Sequence, residues 1–401
     1  MGATLTVGVL GAGGYVGSRL IGLGPLESAV RLIPIVRSPK ALARLRGSSA
    51  ECRVIDTGDA AALSRAVADC DAVVNLTSGD LASIAQETRH FYQACQRAGV
   101  RRFIHLSSAV VYGRARVPHL PDDAPPRDHR WNLYARQKAQ AEAFLAGRLP
   151  PGPPVVTVLR PGLVWGPASV YVVMAARQLA CGRAVLANHG QGICNLIYVD
   201  NLARCLLAVA QHPAASGGFY HVADLETPTW REFYTGLATA LGYPSTTVHC
   251  LGVGAFRPSL ASVVEWGLNR APLFRLQKWL LRRLGPEVKS WIKTRLQRAL
   301  GDAGAPPLAK GEERPVTQPR FTREQWELQH TRHRLPTEKF LRDFGPLTFV
   351  PYRQALEQTA VWLRFAGFAP APALDLDGAV GLADPAPASV TPSREVRPRC
   401  P

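Results

Sequence analysis

Residues 4–10 read TLTVGVL, residues 11–17 GAGGYVG and residues 18–23 SRLIGL. The first block is apolar and β-branched, the composition of a buried strand, and the last reads as the start of a helix. Glycine at 11, 14 and 17 meets two demands at once. A strand must turn sharply into a helix while its backbone reaches contact distance of a diphosphate, and a Cβ at those points would block both. The helix then offers free N–H groups and the positive end of its dipole to phosphate charge. A glycine-rich turn in isolation says little. Set between a strand and a helix, it predicts a dinucleotide site in a doubly wound, parallel α/β sheet.

Moving outward, LIPIV at 32–36 is a second strand, although Pro34 removes a ladder donor. It ends in Arg37-Ser38-Pro39-Lys40. In such sheets the side chain at the end of strand two meets the adenosine ribose, where an acid favours a free 2′-hydroxyl and an arginine accommodates a 2′-phosphate. Arg37, with Lys40 nearby, therefore predicts NADP(H), with NAD(H) as the alternative; the plainer reading is two solvated cations. Further strands are expected at Cys52–Ile55, Asp71–Leu76 and Arg102–Leu106, with helices at Ala60–Ala68 and Leu81–Ala98 between them. Strands alternating with helices at this spacing argue for helices on both faces of a parallel sheet.

The fifth strand runs into SSAVVYG at 107–113, and WNLYARQK at 131–138 opens another helix. Tyr134 and Lys138 are four apart and share a helix face. A cation beside a phenol stabilises the phenolate and lowers its pKa toward neutrality. Tyr134 is thus a candidate general acid/base, with Ser108 orienting the substrate oxygen. A surface tyrosine and a solvated lysine would show the same spacing; the order behind a nucleotide turn and a strand-end serine favours catalysis.

With these motifs in place the chain resembles the extended short-chain dehydrogenases/reductases, of the NAD(P)-dependent epimerase/dehydratase and 3β-hydroxysteroid dehydrogenase type. The resemblance rests on GAGGYVG at 11–17, Asp56, VVNLTSG at 73–79, FIHLSSAVVYG at 103–113, YARQK at 134–138, VLRPGLVWGP at 158–167, NLIYVDNLARCLLA at 195–208 and GFYHVAD at 218–224. With the final helix Tyr352–Phe365, it covers about residues 5–250 and 336–366. It implies a Rossmann-type core at 1–160, a mixed core and substrate region at 161–250 and 336–366, and Ser108, Tyr134 and Lys138 as the catalytic residues. It places Gly11, Gly13, Gly14, Tyr15, Val16, Gly17, Asp56, Thr57, Leu76, Thr77 and Ser78 against the cofactor, and Arg160, Pro161, Gly162 and Val164 toward its nicotinamide side. Two departures narrow the reading. Sugar 4,6-dehydratases carry an acidic pair just after the position of Ser108, where this chain has Ala109 and Val110. Arg37 stands where epimerases of this type often keep an acid. Gln137 replaces a serine common in relatives, without disabling the site. A small-molecule substrate follows, a nucleotide- or polyprenyl-diphosphate-linked sugar for a reductase, with a 4-epimerase, a 3β-hydroxysteroid-type dehydrogenase and a non-catalytic dinucleotide sensor at a membrane as rivals. A homodimer is within this expectation.

The bulk properties fit. A chain of 401 residues, 47% hydrophobic, buries a large core. It lacks an apolar run long enough to span a bilayer or a secretory leader, and its eight cysteines are scattered without a CxxC pair, so a reduced, cytoplasmic protein with no metal site is expected. The net charge of +17 has no nucleic-acid motif beside it, and nucleic acid is not an expected partner. Between Arg270 and Leu300 stand nine Lys/Arg against one acid, Glu287, with Leu273, Leu276, Leu280 and Leu284 at helical spacing. Residues 251–335 are therefore expected as a basic amphipathic insertion, either a lid or a peripheral contact through 270–300 with the inner face of a membrane. The Ala/Pro-rich stretch 367–401 is expected to be disordered.

Overall fold

The computed structural model describes residues 4–24, 29–45, 51–78, 81–113, 120–127, 132–149, 152–212, 217–252, 321 and 323–370. Seven strands form one parallel sheet: β1 (Leu5–Leu10), β2 (Val30–Val36), β3 (Arg53–Val54), β4 (Ala72–Asn75), β5 (Arg102–Leu106), β6 (Val155–Pro161) and β10 (Gly218–Val222). Their spatial order is β3-β2-β1-β4-β5-β6-β10. Chain order reverses between β1 and β4, which opens a crevice at their carboxyl ends, the place where dinucleotides lie in such sheets. The strands are near-continuous apolar runs because helices cover both faces. On one side α1 (Tyr15–Leu23) and α6 (Val199–Gln211) bury Leu20, Ile21, Leu202 and Leu206. On the other, α2 (Ala60–Ala66), α3 (Ile84–Arg97) and α4 (Leu133–Ala146) bury Leu63, Phe91, Cys95 and Leu145.

Pro34 sits inside β2 without cost to the ladder. The N–H of Gly11 bonds to the carbonyl of Ile35, so Ile35 faces β1 and the nitrogen of Pro34 faces the other way. There β3 begins only opposite Ile35, leaving no carbonyl in need of the missing donor.

The remaining elements build a second core beside the crevice. The pairs β7 (Leu163–Trp165) with β9 (Leu196–Tyr198), and β8 (Ala184–Leu186) with β11 (Val248–Cys250), pack with α5 (Val170–Ala180) and α7 (Trp230–Leu241). Thr229 caps α7 in a reciprocal box with Glu232. Asp200 stands inside the first turn of α6, where sequence would place it as the N-cap, and holds Arg19 of α1 through paired hydrogen bonds at 2.6 and 2.8 Å. The Tyr198 backbone supplies the cap position instead, because β9 runs into the helix with no intervening turn.

Three C-terminal helices, α8 (Arg323–Gln329), α9 (Glu338–Phe344) and α10 (Tyr352–Phe365), return to the body. α9 packs Phe340 and Phe344 into the first core, and α10 packs Ala355 and Leu363 against the second. Residues 325–335, counted with the insertion on sequence, are bound to 187–195. Gln329 accepts from the Ala187 N–H at 2.7 Å, and Asn195 joins His333 and Leu335. The basic stripe at 270–300 lies outside the described residues, as does the tail from 371. Among the described residues no helix is long and apolar enough to cross a membrane.

Candidate active site

The glycine turn is shaped by what it touches. Gly11 has φ +83°, and a Cβ there would come within 3.2 Å of the Leu76–Thr77 backbone at the end of β4. A Cβ on Gly17 would stand 2.5 Å from the carbonyl oxygen of Gly11, so only glycine lets the helix close on the strand that feeds it. α1 begins at Tyr15, three residues earlier than the sequence suggested. Gly14 occupies its cap position, with no side-chain cap and no acid in the first turn. The leading N–H groups therefore belong to Tyr15, Val16 and Gly17 and have no intrahelical acceptor. An uncapped helix start beside a cradle that any Cβ would fill suits the diphosphate of a nicotinamide dinucleotide.

Across the crevice, Asn75 sets the turn from Leu76 to Ser78. Its Oδ1 accepts from the N–H and hydroxyl of Thr77 at 3.1 and 2.7 Å, and its amide nitrogen lies 3.2 Å from Nδ1 of His105. That contact assigns the imidazole proton to Nε2, and burial holds His105 well below its ordinary pKa and neutral. Half-exposed Arg37 leaves the end of β2 and pairs with Glu87 of α3 at 3.7 Å. Lys40 is exposed on the turn Pro39–Leu45. Asp56 is exposed too, its carboxylate accepting from the Gly58 N–H at 2.9 Å in the turn that includes Thr57. The Tyr15 hydroxyl is buried, and a Cβ on Gly166 would lie 3.2 Å from it.

At the other end of the crevice Ser108 follows β5 and caps a turn at Ala109–Tyr112, accepting from the Val110 N–H at 3.3 Å. Asn132 caps α4, accepting from Ala135 at 3.0 Å, so Tyr134 stands in the first turn and Lys138 one turn on. The Lys138 ammonium lies 5.8 Å from the centre of the Tyr134 ring. It also donates at 2.6 Å to the carbonyl of Leu106, two residues before Ser108. One buried hydrogen bond thus ties the Tyr134–Lys138 face to the strand end that carries Ser108. Burial pushes Lys138 down to about 8, with Glu142 and Glu87 holding it up. Gln137 accepts from the Ala85 N–H at 3.2 Å and joins α4 to α3.

The Arg160 side chain, expected on the nicotinamide side, turns into the protein. It is 2% exposed, with Glu142 at 1%, and its guanidinium is bound inside the protein. It donates to Glu142 at 2.7 to 3.2 Å, to the Tyr112 hydroxyl, and to the carbonyls of Asp122 and Ala124 at 2.8 and 3.0 Å. Glu142 also accepts from Ser107, and Tyr112 bonds His221 at 2.8 Å. The two ends of the segment carrying Ser108, residues 107 and 112, are therefore fixed to one buried ion pair. Pro161 is buried, Gly162 donates to Val222 at 3.0 Å, and Val164 packs half-buried against the first core. Neither Ser107 nor Glu142 was singled out on sequence. The available signal was a carboxylate one turn beyond Lys138 on a face otherwise occupied by Ala135, Ala141 and Leu145.

Residues 7–223 match the family model of the NAD dependent epimerase/dehydratase family. The chain is 28% identical over 231 residues to an N-acetyl-α-D-glucosaminyl-diphospho-ditrans,octacis-undecaprenol 4-epimerase of Escherichia coli O157:H7, covering 54% of this chain and 66% of that one. It is 29% identical over 259 residues to a 2-alkyl-3-oxoalkanoate reductase of Stenotrophomonas maltophilia, covering 59% and 76%. Its backbone follows the UDP-glucuronic acid 4-epimerase of Bacillus cereus, solved with UDP-glucuronic acid and NAD, at a TM-score of 0.60 and 14% identity over 90% of this chain and 100% of that one. The dTDP-glucose 4,6-dehydratase of Bacillus anthracis, solved with NAD, gives a TM-score of 0.60 at 13% identity over 91% and 98%. The glycine turn, the strand order and a match over more than half the chain agree: this is an enzyme of the NAD dependent epimerase/dehydratase family, within the extended short-chain dehydrogenases/reductases.

Proposed function

We propose that this enzyme is an NADP(H)-preferring reductase that moves hydride at a secondary alcohol or ketone of a nucleotide- or polyprenyl-diphosphate-linked sugar. The observation that carries the reading is the bond from Lys138 to the Leu106 carbonyl, which joins the Tyr134–Lys138 face to the strand end of Ser108 beside the glycine turn. When bound, the nicotinamide cofactor supplies the hydride donor or acceptor. The N–H groups of Tyr15, Val16 and Gly17 hold its diphosphate, with Leu76, Thr77 and Ser78 on the opposite bank. Ser108 donates to the substrate oxygen, and Tyr134 gives that oxygen its proton on reduction or removes it on oxidation. Lys138, as ammonium, favours the phenolate of Tyr134 and keeps the proton mobile near neutral pH. Arg160, held by Glu142, fixes the segment of Ser108 instead of meeting the cofactor. Ala109 and Val110 supply no acid for eliminating water, which argues against a dehydratase.

The sugar-diphosphate substrate is supported by the likeness to the undecaprenol-linked 4-epimerase. That likeness also favours a second reading, a 4-epimerase using the same three residues and returning hydride to the other face of a ketosugar. Purified protein that retains NAD(H) favours the epimerase; an empty site that takes up NADPH on mixing favours the reductase. Tyr134→Phe is expected to lower turnover by about 10²- to 10⁴-fold while the dissociation constant for the cofactor stays within about twofold. Unchanged turnover would remove Tyr134 from the chemistry.

A further inference from the structure

Arg37 and Glu87 come from opposite banks of the crevice. Arg37 leaves the end of β2, Glu87 stands in the first turn of α3 after β4, and β1 runs between those strands. Their 3.7 Å contact therefore crosses the carboxyl end of β1, at the point where the strand order reverses. The two partners are not equally fixed. Glu87 is 18% exposed and its Oε1 accepts from the Ser83 hydroxyl at 2.9 Å, whereas Arg37 is 53% exposed on a long side chain.

We propose that Glu87 competes with the 2′-phosphate of a dinucleotide for Arg37, and thereby sets how strongly the site separates NADP(H) from NAD(H). This rests on the assignment of Arg37 to the adenosine ribose. A phosphate monoester carries nearly two negative charges and takes a guanidinium through paired hydrogen bonds. To form them Arg37 must leave Glu87, and the carboxylate then faces the incoming phosphate across the crevice. A 2′-hydroxyl asks for neither step. Lys40 and Arg44 stand on the same bank as Arg37; Arg44 donates to the Gly13 carbonyl at 3.2 Å. Cations beyond the one that Glu87 occupies are thus close to the turn. Glu87 also supports the charge on Lys138, so its role is read by binding and not by turnover.

The test uses the full-length protein and two probes without a nicotinamide, 2′,5′-ADP and 5′-AMP, which differ only in the 2′-phosphate, titrated calorimetrically. The readout is the ratio of their dissociation constants. Wild type is expected to favour 2′,5′-ADP, and Arg37→Ala to abolish that preference. Glu87→Gln is expected to widen it by about two- to fivefold, the range of a partly exposed ion pair. Glu87→Asp, which withdraws the carboxylate, should widen it by less. In the double variant most of the Glu87 effect should vanish, because competition for the guanidinium needs Arg37 and only the direct repulsion between carboxylate and phosphate is left. A ratio unmoved in both Glu87 variants while Arg37→Ala abolishes it overturns the competition and leaves the Arg37 assignment standing. A ratio that Arg37→Ala leaves unchanged overturns the assignment, and the competition with it.

Discussion

Lys138 shows how a single side chain is set by its surroundings. It is an ammonium with 2% exposure, held at the Leu106 carbonyl, and burial outweighs the pull of Glu142 and Glu87, bringing it from 10.5 to about 8. Below about pH 8 the lysine is charged in the folded and unfolded chain alike, and its unfavourable burial is fully present. Between about 8 and 10.5 only the unfolded chain holds the proton, so stability rises with pH across that window. The free energy of urea unfolding of wild type, taken relative to Lys138→Met, should therefore increase by about 3 kcal/mol from pH 7 to pH 10.5. A flat difference would mean that the amine is solvated. On sequence, spacing alone paired Lys138 with Tyr134. Its depth was not legible, because the inward face of α4 depends on which strand ends lie beneath it. Arg160 makes the complementary point. Its sequence neighbours imply a role beside the cofactor, and the fold gives it a carboxylate partner from a helix 18 residues away.

At the scale of elements, α4 joins three functions through one stripe. Tyr134, Lys138 and Glu142 recur at intervals of four, and the ammonium and the carboxylate meet the end of β5 at Leu106 and Ser107. The carboxylate meets Arg160 from β6 and Ser107 from the end of β5, and the same guanidinium meets Tyr112 at the far end of the Ser108 segment. Cutting one side of this pair leaves a charge buried without a partner. Glu142→Ala is expected to lose about 3–5 kcal/mol in urea unfolding, and the double change Glu142→Leu with Arg160→Met to recover most of it. A loss below about 1 kcal/mol would mean that water reaches the pair. β2 illustrates the reverse case, where a local rule that counted against a strand gives way. Pro34 is tolerated because register decides which side its nitrogen faces, and register is not visible in the residue itself.

For the molecule as a whole, the described residues form a dinucleotide sheet and a second core side by side, and the unit that contains them ends at Ala369. The basic stripe at 270–300 falls between Gly252 and Phe321, the described residues that flank it in the chain. We propose that it contacts anionic lipid. The full chain should then sediment with phosphatidylserine vesicles, and less so as salt rises from 50 to about 500 mM. A chain lacking 253–320 should remain in solution while still binding 5′-ADP. Equal sedimentation with neutral and anionic vesicles would overturn the role of anionic headgroups, and none with anionic vesicles would leave only the lid reading. The sequence by itself determined the fold class, the first crevice turn and the Tyr134–Lys138 pair. Those depend on short-range constraints: a backbone that only glycine allows, strands that alternate with helices, a spacing of four on a helix. Only the tertiary structure decided that Arg160 is an internal tie, that Glu87 faces Arg37 and that residues 325–335 belong to the body. Each of these is a contact between segments distant in the chain, fixed by strand order and by which helix covers which face.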